Sequence, residues 1–422
     1  MKNFKNLFLV AVAALIGFSS CNDSITDPEV EDNGTRTLAF TMHGAQTQTR
    51  QVGPQVEHGS QVEFLNGTLL LSDAGGNIVR FFTISDAPST IGTPANGSPA
   101  TNGQNINIGA LTGGSPIFLE QIPATVRRAT LVGNSDVNVQ IPGNIGAINS
   151  TVLNIHNQLI EAGENGVNLY ATNQISMIDV TNPHDDHTTW SVSLNLDPTL
   201  ARLELTDMTI GGTNPRDGFV SRLVSYDVTA IFLDGFYRTA TISGATNSAD
   251  WVNREATNQM AEWTAGSTWF PTTSSEVLFD EVNRSITVEN PAEAAVITPS
   301  APSITNPVWG YNVFATATAP RLVIRLENVV LNVDVICENT GSIVGNEDIE
   351  LGTQFIVVSN FTQTNNGPAV SSFLPGNVYR IGAGSLWFDE RNMVVDPNET
   401  EIDLRVEVTI SQWNVIMIEP GF

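Results

Sequence analysis

Thr37-Leu38-Ala39-Phe40-Thr41-Met42 is the stretch on which the fold turns. Leu38, Phe40 and Met42 alternate with smaller or polar residues, which is the period of a half-buried β-strand. A lone strand with an apolar face is unstable in water, so this one must pair with strands further along the chain. Val62–Leu71 and Ile78–Ile84 are β-prone runs that bracket the turn-forming cluster Ser72-Asp73-Ala74-Gly75-Gly76-Asn77. A long loop dense in Gly, Pro, Asn and Ser follows at Ala87–Gly114, with one strand near Ile106–Ile108. Val126–Val132, Val167–Ala171, Ile175–Val180 and Thr188–Leu196 are further strands.

A second set of strands opens after Asp197-Pro198. Leu200–Thr209 and Tyr226–Phe232 begin it, and Leu322, Ile324 and Leu326 alternate against Arg321, Val323 and Arg325. Phe355–Phe361, Asn377–Phe388 and Ile402–Ile410 complete it. Thr239–Asn290 between them reads as loop-rich and carries Trp251, Trp263 and Trp269. The spacing of Ile145, Ile148, Val152, Ile155, Leu159 and Ala162 predicts one helix over Asn144–Ala162, stopped by Gly163 and Gly166. Short strands punctuated by turns, with a single helix, predict an all-β chain of two β-sandwiches in tandem. No fixed-period repeat is present.

Upstream of the opening strand, Met1–Ser20 has the build of a signal peptide: Lys2 and Lys5, then an apolar run from Leu7 to Phe18 too short to span a bilayer comfortably. It ends Phe18-Ser19-Ser20-Cys21. Small residues before a cysteine suit a lipoprotein signal peptidase cutting between Ser20 and Cys21, with Cys21 taking the lipid. Phe18 departs from the Leu, Val or Ile usual at that place, and plain secretion is the other reading. Acylation of Cys21 gives firm anchoring. Asn22–Gly34 is acidic and solvated, a tether.

Composition removes several function classes. The 422-residue chain carries a net charge of −26, which excludes nucleic acid as a partner, since no basic patch is available to release counterions. Hydrophobic residues make up 41%, enough to build full cores, while charged residues are only 15%, so Thr, Ser, Asn and Gln supply the polar surface. Lys2 and Lys5 are the only lysines, so Schiff-base chemistry, a P-loop lysine and a Lys–Asn isopeptide bond are all excluded after the signal. With Cys21 lipidated, Cys337 stands alone and no disulfide framework exists; its apolar run Val333-Asp334-Val335-Ile336-Cys337 reads as core.

His184-Asp185-Asp186-His187 is the one dense His/Asp group. A metal site and a solvated hairpin tip are its two readings, and the Asn182-Pro183 turn before it favours the tip. His156 lies beside the predicted helical stripe and reads as structural. No nucleophile-elbow motif, GxGxxG or P-loop stands where a strand meets a helix. Asp389-Glu390 and Glu347-Asp348 read as exposed charge. No catalytic residue, metal or cofactor is expected, and the chain is read as a non-enzyme.

Several stretches, in order, are similar to the fimbrillins, the subunits of type V pili. They are the lipoprotein signal, acidic tether, strand and Arg50; Phe64–Leu71 with Asp73–Val79; Ile122-Pro123-Ala124-Thr125-Val126 running into Leu131-Val132-Gly133-Asn134; and Val167-Asn168-Leu169-Tyr170. Leu200–Leu205, Trp309–Phe314, Pro320–Ile324, Pro375–Ile381 and Val406–Ile410 followed by Trp413 and Val415 continue the match across nearly the whole chain.

The resemblance implies two transthyretin-like Greek-key β-sandwich domains. The divisions expected are a signal peptide over 1–20, a lipidated propeptide with a removable strand over 21–50, and domains over 51–197 and 198–422. It also implies export as an outer-membrane lipoprotein and removal of the strand holding Leu38, Phe40 and Met42 by an arginine-specific surface protease. Polymerisation with other copies or related pilus subunits, by strand exchange, then supports adhesion. The expected cut lies between Arg50 and Gln51, after the polar flank Gly44–Thr49. Arg36 competes, but it precedes the strand and cutting there would not remove it. The donor candidate is Gln412–Ile418, with Trp413, Val415 and Met417 on one face. That segment has a second reading, completion of its own sheet. From another class, the alternative function is a monomeric surface lipoprotein binding glycan or host protein, with the three tryptophans as aromatic platforms.

Overall fold

The computed structural model describes residues 34–43, 45–49, 61–91, 101–111, 115–135, 137–155, 160–161, 164–165, 167–177, 190–216, 218–252, 278–288, 294–299, 307–337, 339–364, 367–397, 405–412 and 414–419. Over these the chain is all-β, with several sheets and two short α-helices.

The first half holds β1 (Thr35–His43), β2 (Ala45–Thr49), β3 (Gln61–Phe64), β4 (Gly67–Asp73), β5 (Ile78–Ser85) and β6 (Gln104–Asn107). They are followed by α1 (Ile108–Leu111), β7 (Ile117–Pro123), β8 (Val126–Gly133), α2 (Ile145–Asn149), β9 (Val152–Asn154), β10 (Leu169–Gln174), β11 (Ser176–Met177) and β12 (Trp190–Asn195). A six-stranded sheet runs Asp197–Pro198, β10, β8, β4, β5, β6, and a four-stranded sheet runs β11, β12, β1, β7.

Period-two alternation sorts the side chains. Leu69 and Leu71 of β4 share a buried cluster with Leu131 of β8, Leu38 and Phe40 of β1, and Val192 of β12. Leu70 and Val132 belong to a second cluster with Ile78, Ile148 and Ile242. The β4–β5 turn forms as its residues predict: the Asp73 carboxylate accepts from the Asn77 backbone N–H at 2.8 Å and from its side-chain amide at 2.9 Å. The expected run Val62–Leu71 is broken at Leu65-Asn66, so β3 and β4 lie in different sheets. Gly67 and Gly133 pair across β4 and β8, and the Phe64 ring covers both. A Cβ on either glycine would stand 2.9 or 2.8 Å from that ring, so any larger residue there displaces it.

The predicted helix over Asn144–Ala162 is corrected. α2 is five residues long, capped by Asn144, whose side-chain oxygen accepts from Gly146 N–H at 2.8 Å. The chain then turns at Ser150-Thr151 and becomes β9. Asn149, Ser150, Thr151 and Val152 are poor helix formers, and a strand partner is available, so the tertiary pairing wins. Val152 is 66% exposed and Ile148 buried, which splits the stripe. His156, Leu159 and Ala162 lie outside the described residues.

The second half holds β13 (Leu200–Leu205), β14 (Phe219–Asp234), β15 (Thr239–Thr241), β16 (Leu278–Thr287), β17 (Trp309–Phe314) and β18 (Arg321–Ile336). After these come β19 (Ile343–Val358), β20 (Asn360–Gln363), β21 (Asn377–Ile381), β22 (Met393–Val394), β23 (Arg405–Gln412) and β24 (Asn414–Glu419). One sheet runs β17, β13, β21, β23, β20, Ala369–Val370; the other runs Thr213–Arg216, β14, β18, β19, β22, with β16 also on β14. The loop-rich reading of Thr239–Asn290 is corrected at β15 and at β16, a ten-residue strand. Trp263 and Trp269 fall outside the described residues; Trp251 packs on Tyr237 with centroids 4.7 Å apart.

Candidate functional site

The site grows from β1. Its neighbours are β12, parallel, with Leu38 opposite Trp190 and Met42 opposite Leu194, and β7, antiparallel, with Leu38 opposite Leu119 and Phe40 opposite Ile117. β1 is therefore a central strand with both edges hydrogen-bonded. Leu38, Phe40 and Met42 are all buried, as the alternation predicts. At about 1.5–3 kcal/mol per fully buried side chain, they contribute roughly 5–9 kcal/mol as an upper estimate. Without β1, β7 and β12 would each present a row of unpaired N–H and C=O groups facing the other, a slot shaped for one strand.

Arg36 lies inside β1, not before it, which corrects the expectation. Its side chain is only 9% exposed. The guanidinium donates to the Val126 carbonyl and stands 3.8 Å over the Trp190 ring centroid. A protease needs an extended, accessible segment around its cut. Arg36 in the folded chain offers neither accessibility nor a free backbone, since it pairs with Ile122. Ser20, Cys21, Arg50 and Gln51 lie outside the described residues, as do His184 and His187.

β24 carries Val415 and Met417; Trp413 lies outside the described residues. Its backbone is sandwiched between two strands of its own chain. Ala45 through Thr49 of β2 pair with Val415 through Glu419, and Gln61 through Phe64 of β3 pair with Asn414 through Met417, all parallel. This is the second reading of the segment, completion of a sheet in its own chain. Nothing local in the sequence signals it, because parallel pairing between chain ends has no turn to announce it.

Other candidate chemistry is placed as follows. Among the described residues no group of three or more His, Cys, Asp or Glu is arranged to hold a metal ion. Asp389-Glu390, read as exposed charge, is corrected: Asp389 is buried and caps a short helical turn through Arg391 N–H at 2.9 Å. Glu390 accepts from Ser221 and Asn214, each at 2.5 Å. Cys337, read as core, follows the end of β18 and is only partly buried. A hydrogen bond with Thr340, helped by backbone N–H groups, holds its thiol below the ordinary value. A buried ion group has no signature in the sequence, because Arg380 is far along the chain from Arg202 and Glu204. Glu204 pairs with Arg202 at 2.8 Å and Arg380 at 2.6 Å, and Arg202 donates to Asn312 at 3.1 Å. Gly310 leaves room for it, since a Cβ there would meet the Arg202 guanidinium at 2.2 Å and push it aside. It joins β13, β17 and β21 and is structural.

No protein-family model matches the sequence, and no curated protein matches it. Solved structures do. A candidate cell adhesion protein of Bacteroides eggerthii aligns over 92% of this chain and 98% of its own, at 12% identity and a TM-score of 0.45. A candidate cell adhesion protein of Parabacteroides distasonis aligns over 91% and 98%, at 12% identity and 0.42. The tip fimbrial protein Mfa3 of Porphyromonas gingivalis, truncated at its C-terminus, aligns over 90% and 99%, at 10% identity and 0.37. All three proteins are named for cell adhesion or for fimbriae, and each aligns at low sequence identity.

Proposed function

We propose that the chain is a structural subunit of a cell-surface pilus, supporting adhesion and polymerised by strand exchange. The observation that carries this is the seating of β1. It fills the centre of a four-stranded sheet with buried side chains, yet it belongs to a leading segment that one cut after β2 detaches from the body. The emptied slot accepts a strand of the same direction, parallel to β12 and antiparallel to β7. The donor is the C-terminal segment of another copy, with Trp413, Val415 and Met417 as its occupying face. The precursor is held at the outer membrane by lipid on Cys21, after cleavage at Ser20-Cys21, and an arginine-specific surface protease cuts between Arg50 and Gln51. Burial of Arg36 supports that choice of arginine. Partners are further copies or related subunits.

One observation favours the monomeric alternative, a surface lipoprotein binding glycan or host protein: β24 is already paired in its own chain. Digestion of the full-length chain with an arginine-specific protease separates the two. A ladder of SDS-resistant multimers, with Gln51 as the new N-terminus, is the expected result. Complete cutting with no ladder would overturn the polymer reading.

A further inference from the structure

β2 has one partner strand among the described residues, and it is β24. β24 in turn has two partners, β2 and β3. Only residue 44 separates β2 from β1, so the two strands travel together, and the chain reaches the body from them through residues 50–60. We propose that β2 is a clasp on the C-terminal strand: one cut between β2 and β3 both empties the slot between β7 and β12 and strips one flank from β24. Opening of the acceptor and release of the donor are then a single event. This rests on the strand-exchange reading above, and its chemistry is hydrolysis of one peptide bond, with water adding across it.

The pairing shows why the flank matters. Five residue pairs, Ala45–Val415 to Thr49–Glu419, join β24 to β2, and four, Gln61–Asn414 to Phe64–Met417, join it to β3. In the uncut chain β24 is the middle strand of three, with both edges engaged. After the cut it keeps one parallel neighbour. Two-stranded pairing alone is marginal in water, and parallel ladders are the weaker kind. The uncut chain therefore cannot offer its C-terminal strand while its own slot is filled, which prevents assembly before maturation.

Hydrogen exchange followed by mass spectrometry tests this on the full-length chain, before and after the cut at Arg50. It is run at a dilution where light scattering shows monomer. Exchange at 414–419 and at 190–195 is expected to rise together, at least tenfold, as the leading fragment departs. A rise at 190–195 with 414–419 unchanged would overturn the clasp. In uncut chain, Thr47→Pro with Gln48→Pro removes ladder donors of either parity from β2. That variant is expected to raise exchange at 414–419 and to leave 190–195 protected; protection at both would equally overturn it. The polymer reading fails separately: both regions open after the cut and no ladder forms on concentration.

Discussion

Arg36 shows how one side chain can be both anchor and decoy. Its guanidinium stands over the Trp190 ring and reaches the Val126 carbonyl, so it ties β1 to β12 and β8. Arg36→Ala is expected to destabilise the uncut chain by about 1–3 kcal/mol in denaturant unfolding, the sum of a partly desolvated cation–π contact and a hydrogen bond. Arg36→Lys should recover only part, because an ammonium cannot stack as a plane. In a protease time course, new N-termini at Thr37 should appear only with denaturant present. Asp280 makes a different kind of residue-scale prediction. Burial pushes its carboxyl up, partly offset by the Tyr311 hydroxyl. A carboxylate raised in the fold binds its proton more tightly there than in the unfolded chain. Stability therefore falls as pH climbs from the ordinary Asp range through the folded value, and the loss persists at neutral pH. Asp280→Asn should accordingly stabilise at pH 7 and make no difference once Asp280 is protonated in both states. Equal midpoints for the two chains across the whole pH range would rule this out.

At the scale of elements, β1 was legible because its evidence is local: six consecutive residues carry the alternation, Leu38, Phe40 and Met42 land on the buried face and Thr37 and Thr41 on the half-exposed one, with Ala39 alone buried against the pattern. Phe40→Ala should cost about 3–5 kcal/mol in the uncut chain, as a fully buried ring is lost. After cutting and removal of the fragment, the bodies of natural and variant chains should unfold identically, since residue 40 has left with the fragment. A surviving difference would mean the fragment had not departed. The helix over Asn144–Ala162 was misread for the opposite reason. Its apolar spacing is helical, but the partner that turns Val152–Asn154 into a strand is Thr239–Thr241, far along the chain. β24 was half-legible. Its apolar run marks a strand, while its partners depend on residues distant in sequence meeting in space. β14, β18 and β19, at sixteen residues each, outran their sequence runs because register shifts interrupt the alternation at Val228/Ala230 and Leu326/Val329.

At the scale of the whole molecule, a net charge of −26 sets copies against one another. Long-range repulsion between acidic surfaces is screened by salt, so multimer formation by the cut chain should speed up several-fold between ~0.02 and ~0.5 M NaCl. A rate that falls with salt would instead indicate complementary charge at the contact. Within one copy, the two halves are joined more firmly than a linker would join them. β9 pairs with β15, Ile242 N–H donates to Thr151 O at 2.8 Å, and Ile242 enters the cluster of Leu70, Ile78, Val132 and Ile148. Asn168, fully buried, donates to Ile242 O at 2.8 Å and Thr199 Oγ1 at 3.1 Å and accepts from Ser135 Oγ at 2.7 Å. One hydrophobic cluster runs from Leu38 to Val408. Unfolding should therefore be a single cooperative transition, despite a length at which independent domains are usual. Ile242→Asp places an unpaired charge in the joint, among Leu70, Ile78, Val132 and Ile148, and weakens the coupling there while leaving the larger cluster in place. Calorimetry of that variant should show the one transition resolve into two, with Asn168→Ala broadening it to a lesser degree. A single unshifted transition in Ile242→Asp would show that the joint carries no stability and that the cooperativity arises within the sheets alone.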